Sequence, residues 1–203
     1  MPLKKLLPYL HQGLIEAGCD EAGRGCLAGP VVAAAVILPP EFSLDGIDDS
    51  KKLSKSKRNF LRGEIERLAI SWSVFMIDPE EIDRINILRA SMKAIQEALS
   101  GLNQDRQHIL IDGNRFPGFK KIPHSCIIKG DGKYASIAAA SILAKTYRDD
   151  FMEKIHLEFP HYGWDKNAGY PTAFHRNAIR KHGPCKHHRM SFRLLPEQLS
   201  LEF

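Results

Sequence analysis

Carboxylates stand at the ends of several apolar segments, an arrangement that could hold divalent cations. Asp20 and Glu21 lie where one segment runs into Gly-Arg-Gly, Asp112 ends the phrase Ile-Leu-Ile-Asp, and Asp131 follows Ile-Ile-Lys-Gly. If these segments are neighbouring strands of one sheet, the acids converge on one point. Acids held together disfavour each other's ionisation, and a divalent cation removes that cost. Oxygen-only ligands favour Mg²⁺ or Mn²⁺ over zinc. Any one of these acids alone is more typical of a turn or a helix cap.

A glycine-rich segment follows the first acidic pair. Its glycines Gly23, Gly25 and Gly29 have the spacing G-x-G-x-x-x-G, and Pro30 with an apolar run comes next. A dinucleotide-binding loop needs G-x-G-x-x-G followed by a helix, so the pattern argues against that function. It favours close approach of backbone N–H groups to a sugar or phosphate, with Arg24 as a phosphate-binding fork. A glycine-rich turn without a ligand is the alternative.

Basic residues cluster in two places, and the net charge of +5 with a pI near 9.0 suits a polyanionic partner. Ser50, Lys51 and Lys52 precede a predicted helix, where lysines and a helix terminus can meet phosphates. The tail after about Phe159 interleaves aromatic and basic side chains, which is typical of a nucleic-acid groove. For both segments, a solvated charged surface is the alternative. Cys185, His187 and His188 are zinc-ligand types, but the sequence offers no second half of such a site.

The elements that must position these residues are strands and helices in mixed order. Strands are predicted at 14–19, 31–38, 71–77, 108–111 and 123–128 from apolar and β-branched runs. Helices are predicted at 55–68, 87–99, 134–155 and 172–181 from their apolar spacing. The pattern predicts an α/β protein with a mixed sheet covered by helices. We expect a domain over residues 1–158 and an extension over 159–203.

Composition excludes several classes of protein. The 203 residues are 43% hydrophobic, and no run reaches the roughly 18 apolar residues of a membrane span. The start lacks a long apolar region and a cleavage site, so no signal peptide is predicted. Four dispersed cysteines suggest free thiols in a reducing cytoplasm. We therefore expect a cytoplasmic, monomeric protein without a membrane partner.

Taken together, these segments resemble the ribonuclease HII family. The resemblance rests on the run from Cys19 to Val31, on Asp49-Ser50-Lys51-Lys52-Leu53-Ser54, and on the phrases ending at Gly113 and Asp131. It continues through the small-residue helix 136–145, Arg148-Asp149, Gly169-Tyr170-Pro171-Thr172, His175 and the closing His188-Arg189-Met190-Ser191-Phe192. It covers nearly the whole chain, from about Gly13 to Phe192.

The resemblance implies a ribonuclease-H-like mixed sheet flanked by helices, with a small helical C-terminal extension. It implies that Asp20, Glu21, Asp112 and Asp131 are both catalytic and metal-binding. The loop Gly23-Arg24-Gly25 would contact the ribonucleotide and read its 2′-OH, the group that separates RNA from DNA. Tyr170 would stack on the sugar beyond the junction. The remaining substrate contacts implied are Ser50, Lys51, Lys52, His175 and Arg189.

The implied activity is endonucleolytic hydrolysis of the RNA-containing strand of RNA/DNA hybrids. It includes cutting on the 5′ side of ribonucleotides embedded in duplex DNA, leaving 3′-hydroxyl and 5′-phosphate ends, as in ribonucleotide removal during replication and repair. Two divalent ions, Mg²⁺ or Mn²⁺, would serve both ends of the displacement. Three alternatives remain: a non-catalytic nucleic-acid-binding module, a nucleotide-dependent oxidoreductase using the glycine loop, and a different nuclease on the same fold.

Overall fold

The structure, a computed structural model, describes residues 6–42 and 53–196. Its strands are β1 (Glu16–Ala22), β2 (Val31–Ile37), β3 (Ser71–Ile77), β4 (His108–Asp112) and β5 (His124–Ile127). Its helices are α1 (Lys55–Leu68), α2 (Pro79–Ile85), α3 (Ile87–Ser100), α4 (Ala135–Glu158), α5 (Trp164–Asn167) and α6 (Ala173–His182). Short 3₁₀ turns occupy Gly130–Gly132 and Pro160–Tyr162.

The five strands form one mixed sheet in the order β3-β2-β1-β4-β5. β1, β2 and β3 pair antiparallel, whereas β1 with β4 and β4 with β5 pair parallel. This confirms the predicted mixed sheet and the five predicted strands. Several boundaries differ by one to three residues, and the difference that matters is that β1 runs on to Ala22, which pairs with Val32 of β2. Asp20 and Glu21 therefore lie within β1 and not beyond its end.

Helices cover both faces of the sheet. Ala17, Ala35 and Ile111 belong to a core that also contains residues of α3, such as Ala94 and Leu99. On the other face, Ala34 and Val36 of β2 share a core with α1 and α4. Because both faces are buried, β2 is apolar at every position, VVAAAVI, and shows no alternation.

Helix α4 packs unusually close to β1. A Cβ added at Gly18 would overlap the backbone of Ser136 and Ile137. Small residues fill this part of α4, so its backbone can approach the strand without a clash. The close approach matters for the site, because β1 carries the first two acids and α4 carries a side chain that contacts one of them.

Helix α2 was not predicted from the sequence. It is seven residues long, too short to show a helical period. Its start does carry a recognisable signal: Asp78 accepts a hydrogen bond from the Glu81 N–H, and Pro79 occupies the first turn. Asn86, with φ of 67°, ends α2 and caps α3 through the Arg89 N–H.

The tail packs against the glycine-rich segment rather than standing apart from it. Leu27 and Ala28 share a core with Met152 of α4 and with Tyr162 and Trp164 of the tail. Thr172 caps α6 by accepting from the His175 N–H at 3.2 Å, at the predicted helix start. Within residues 6–42 and 53–196, no helix is both long and apolar enough to cross a membrane.

Candidate active site

Asp20 and Asp112 lie side by side at one end of the sheet. The parallel pairing of β1 with β4 matches Cys19 with Ile111, so the two acids are the next residues along each strand. Cys19 and Ile111 face the α3 core, and strand alternation therefore directs Asp20 and Asp112 toward α4. The convergence that the sequence predicted for these two acids is present.

The Asp20 carboxyl group is buried among other acids. Burial raises its pKa well above the ordinary range, and the nearby carboxylates of Glu21 and Asp112 raise it further. A hydrogen bond with the Ser141 side chain of α4 and the Glu21 N–H, 2.7 Å from Oδ1, oppose the rise. Burial and the neighbouring carboxylates together therefore disfavour the ionised form of Asp20, and its two donors only partly offset this.

Glu21 points toward the opposite face, because it is the next residue of the same strand. Its Oε1 lies 3.1 Å from Nη1 of Arg24, whose side chain is half exposed. Arg24 therefore lies at the acids and remains open to solvent, as a phosphate contact requires.

Asp131 lies in the 3₁₀ turn that contacts Asp112. The backbone N–H of Gly130 donates to Oδ1 of Asp112 at 2.7 Å, which places this turn directly against the acid at the end of β4. Asp131 is the next residue and is buried. A Cβ at Gly130 would lie 3.3 Å from Asp112 Oδ1, so glycine permits this close contact.

The glycine loop has two glycines of different kinds. Gly23 has φ of 94°, and a Cβ there would overlap the Arg148 side chain. Gly25 is exposed, and nothing lies within 4 Å of a Cβ placed on it. The structure therefore requires glycine at position 23 for folding, whereas at position 25 it leaves space beside the backbone. The strand β2 after Pro30 excludes the helix that a dinucleotide-binding loop needs.

Two buried arginines hold this loop in shape. Arg148 of α4 donates to the carbonyl oxygens of Pro30, Ala28 and Ala168 at 3.0, 3.1 and 2.9 Å. Arg189 donates to Gly29 through two nitrogens, at 3.0 and 2.9 Å, and to Arg24 at 2.9 Å. Both guanidinium groups thus satisfy carbonyls that face inward.

The burial of Arg189 corrects one expectation. Its side chain is 0% exposed, so its guanidinium is not available to contact a phosphate. Desolvation lowers its pKa to about 10, and the nearby positive charge of Arg148 acts in the same direction. Arg189 instead fixes the backbone of the glycine loop at Gly29 and Arg24.

His175 was also expected to contact the substrate, and the structure places it in the interior. It is 0% exposed and accepts from the Trp164 indole at 3.0 Å. Tyr170, in contrast, is 42% exposed, and its side chain hydrogen-bonds to the Cys26 thiol of the glycine loop. Of the tail residues predicted at the substrate, Tyr170 is the one in a position to touch it. Ser50, Lys51 and Lys52 lie outside the described residues.

A cleft of about 450 Å³ opens beside the acids. One wall is the first half of α3, and the other carries Glu21, Asp112 and the turn after β4. Arg24 and Arg115 both line the cleft, so positively charged side chains share it with the carboxylates. Its ten lining residues are Glu21, Arg24, Leu88, Ser91, Met92, Ile95, Asp112, Gly113, Asn114 and Arg115.

The sequence did not reveal the residues that hold the acids, the glycine loop and the tail in place. Ser141 and Arg148 lie in segments that carry the family resemblance, but no role was predicted for either. The sequence likewise gives no role to Asp83 of α2, whose carboxylate accepts from the N–H groups of Met190 and Ser191 at 2.7 and 3.0 Å. A polar residue within an alanine-rich helix was the available signal for Ser141. Asp149 and Asp150 pair with Arg58 and Arg62 of α1.

Comparison with known proteins gives one consistent family. The family model described as Ribonuclease HII matches residues 17–195. The ribonuclease HII of Parabacteroides distasonis is 61% identical over 98% of this chain and 100% of its own length. That of Bacteroides thetaiotaomicron is 60% identical, again over 98% of this chain and 100% of its own.

Solved structures show the same fold. Ribonuclease H2 from Pyrococcus horikoshii superposes with a TM-score of 0.74 at 26% identity, over 88% of this chain and 94% of that one. Bst-RNase HIII in complex with Mn²⁺ gives a TM-score of 0.75 at 19% identity, over 89% of this chain and 68% of that one, and supports the fold alone. The fold is therefore ribonuclease-H-like, and the chain belongs to the ribonuclease HII family of ribonuclease H endonucleases.

Proposed function

We propose that this protein cuts the RNA-containing strand of RNA/DNA hybrids and cuts duplex DNA on the 5′ side of an embedded ribonucleotide. The products carry 3′-hydroxyl and 5′-phosphate ends, and the activity serves ribonucleotide removal in replication and repair. The observation that carries the proposal is the placement of Asp20, Glu21 and Asp112 at one end of the sheet, next to a loop with exposed backbone at Gly25.

The donor set fits divalent cations. Every candidate ligand, namely Asp20, Glu21, Asp112 and Asp131, offers carboxylate oxygens, the ligands of Mg²⁺ and Mn²⁺. The raised pKa of Asp20 comes first from burial and then from the neighbouring carboxylates, and a cation would compensate both effects. Within the described residues, no three His, Cys, Asp or Glu side chains are gathered so that they could hold one ion. Ligation by three of them therefore requires side-chain movement.

Two divalent ions, Mg²⁺ or Mn²⁺, would supply an activated water and stabilise the departing 3′-oxygen. Bst-RNase HIII, which shares this fold, was solved in complex with Mn²⁺, and this agrees with the choice of metal. The protein supplies the fixed charge. Asp20 is oriented by Ser141 and by the Glu21 N–H, and Asp112 by the Gly130 N–H. These bonds hold the carboxylates before substrate arrives, which is what preorganised electrostatics requires.

Selectivity for a ribonucleotide would come from the glycine loop. The open space at Gly25 lets a sugar approach the backbone, where polar groups can bond a 2′-OH. Arg24 stands between Glu21 and solvent, in reach of a phosphate. The exposed Tyr170 lies beside the same loop and offers a ring on which a sugar can pack.

The test is cleavage of an end-labelled DNA duplex that carries one ribonucleotide, beside an all-DNA duplex, with Mg²⁺, Mn²⁺ or EDTA. A metal-dependent cut on the 5′ side of the ribonucleotide, with the control intact, is the expected result. Binding without a cut in either metal would replace the enzyme with a binding module. Equal cutting of both duplexes would keep a nuclease but remove the assigned role of the glycine loop.

A further inference from the structure

Two histidines are buried together between the tail and the glycine loop, away from the acids. His175 of α6 and His188 have 0% and 2% exposure, and their Nε2 atoms lie 3.2 Å apart. Tyr162 and Trp164 pack against both rings. Nothing in the proposed chemistry uses these groups, and a polar pair in such surroundings is costly unless its hydrogen bonds are all made.

The partners of the two rings fix where each proton lies. An indole N–H can only donate, so the Trp164 bond requires an unprotonated Nε2 on His175. The proton of His175 is then on Nδ1, which lies 3.0 Å from the Tyr170 carbonyl oxygen. The Cys185 N–H donates to His188 Nδ1 at 3.0 Å, so the proton of His188 is on Nε2 and is donated to His175.

The result is one directed chain of hydrogen bonds with a single set of neutral tautomers. It runs from the Cys185 N–H through His188 and His175 to the carbonyl of Tyr170. Adding a proton to either ring would set two donors against each other. Burial lowers the pKa of both histidines, in agreement with neutral rings.

Both ends of this chain lie on backbone that pairs with the glycine loop. Gly169, next to Tyr170, accepts from the Leu27 N–H at 2.8 Å. On the other side, His187 accepts from the Gly29 N–H at 2.9 Å, and His188 forms a bridge with Ala28. The two rings therefore connect the two segments that flank residues 27–29.

We propose that His175 and His188 are positioning residues, which set the place of Tyr170 relative to the glycine loop through the His175 Nδ1–H bond to the Tyr170 carbonyl. This inference rests on the proposed function, in which Tyr170 and the loop contact the substrate. Neither histidine touches substrate. Their effect is on turnover, because a displacement of about 1 Å in a positioning group can cost roughly a hundredfold in rate.

Two matched substitutions separate this bond from the rest of the network. In His175→Gln, the amide reaches the place of Nε2, so it keeps the contacts with Trp164 and His188 and loses the bond to Tyr170. In His175→Asn, the shorter amide takes the place of Nδ1 and keeps the bond to Tyr170. We expect His175→Gln to lower kcat on the one-ribonucleotide duplex by tenfold to a hundredfold, with KM within about threefold. His175→Asn should retain kcat within about threefold.

Similar kcat losses in the two variants, or losses that follow only their melting temperatures, would overturn the positioning role. Two measurements that do not depend on catalysis test the positioning role separately from the proposed activity. Amide exchange at Leu27, whose N–H bonds to Gly169, should be faster in His175→Gln than in His175→Asn by about tenfold. Nitrogen NMR should find the proton on Nδ1 of His175 and on Nε2 of His188. The opposite tautomers, or equal Leu27 exchange, would refute the proposal even if the wild-type protein cut no substrate.

Discussion

Gly23→Ala is expected to destabilise the protein strongly, whereas Gly25→Ala is not. At position 23 the alanine must adopt φ near 94°, which costs about 1–2 kcal/mol for a residue with a Cβ. Its Cβ would also overlap Nε of Arg148 and lie 2.8 Å from the Pro30 carbonyl oxygen. Displacing Arg148 breaks the bond from Nε to Pro30, worth about 1.5–3 kcal/mol for a charged donor.

The two costs together are about 2.5–5 kcal/mol, against a total stability of about 5–15 kcal/mol for a typical domain. Urea denaturation of both variants beside the wild type measures the difference. Gly25→Ala, with no atom within 4 Å of its Cβ, should stay within about 0.5 kcal/mol of wild type. The reasoning fails if Gly23→Ala unfolds at the same urea concentration as Gly25→Ala, because the overlap with Arg148 would then cost nothing.

The same pair of variants separates folding from recognition. Gly25→Ala places a methyl group where the proposal brings a sugar to the backbone. It should therefore reduce cutting at the ribonucleotide while leaving the melting temperature almost unchanged. Full activity in Gly25→Ala would show that the substrate does not approach the loop at this position.

Three further results are expected. Asp20→Asn should abolish cleavage and spare binding. It should also raise the free energy of unfolding in metal-free buffer at pH 7, because the raised pKa means that ionisation of Asp20 destabilises the fold as the pH rises above 3.8. A variant less stable than wild type in urea would contradict this. Burial lowers the pKa of His188 from 6.5 to about 4, so its contribution to the free energy of unfolding should be fully present above pH 6.5. The free energy of unfolding should then fall by about 3 kcal/mol as the pH is lowered toward 4. The urea midpoint should depend less on pH across this range in His188→Gln than in the wild type. Arg189→Lys should lower the free energy of unfolding by about 2–4 kcal/mol, because an ammonium group cannot donate to both Gly29 and Arg24 as the guanidinium does. An unchanged urea midpoint would refute that.

The sequence was sufficient for the five strands and for helices α1, α3, α4 and α6, but not for the short helices α2 and α5. Apolar runs predicted the strands, and it was the carboxylates at the ends of several such runs taken together, not Asp112 alone, that indicated a cluster. The pairing of β1 with β4 then brings Asp20 beside Asp112. What local pattern could not show was where β1 ends, because pairing with β2 carries it through the acidic pair to Ala22.

The roles of the basic and histidine residues were harder to predict, because burial depends on partners distant in the chain. Arg189 and His175 belong to a segment rich in charge, which is typical of a solvated or phosphate-binding surface. Their burial follows from inward-facing carbonyls at Gly29 and Arg24 and from the indole of Trp164. No spacing rule connects residues 160 positions apart, as Arg189 and Gly29 are.

That distance along the chain has a consequence for how the protein is made. The glycine loop is synthesised early, but the groups that satisfy its carbonyls are Arg148 and Arg189, and its N–H groups bond to Gly169 and His187. Until those residues leave the ribosome, these loop carbonyls and N–H groups lack the partners that they have in the folded protein. The strands can pair before then, whereas the surface proposed to recognise a ribonucleotide acquires its shape only when the last segment docks. A nascent chain stalled before residue 187 would therefore carry its acids without the folded form of the loop proposed to recognise the substrate.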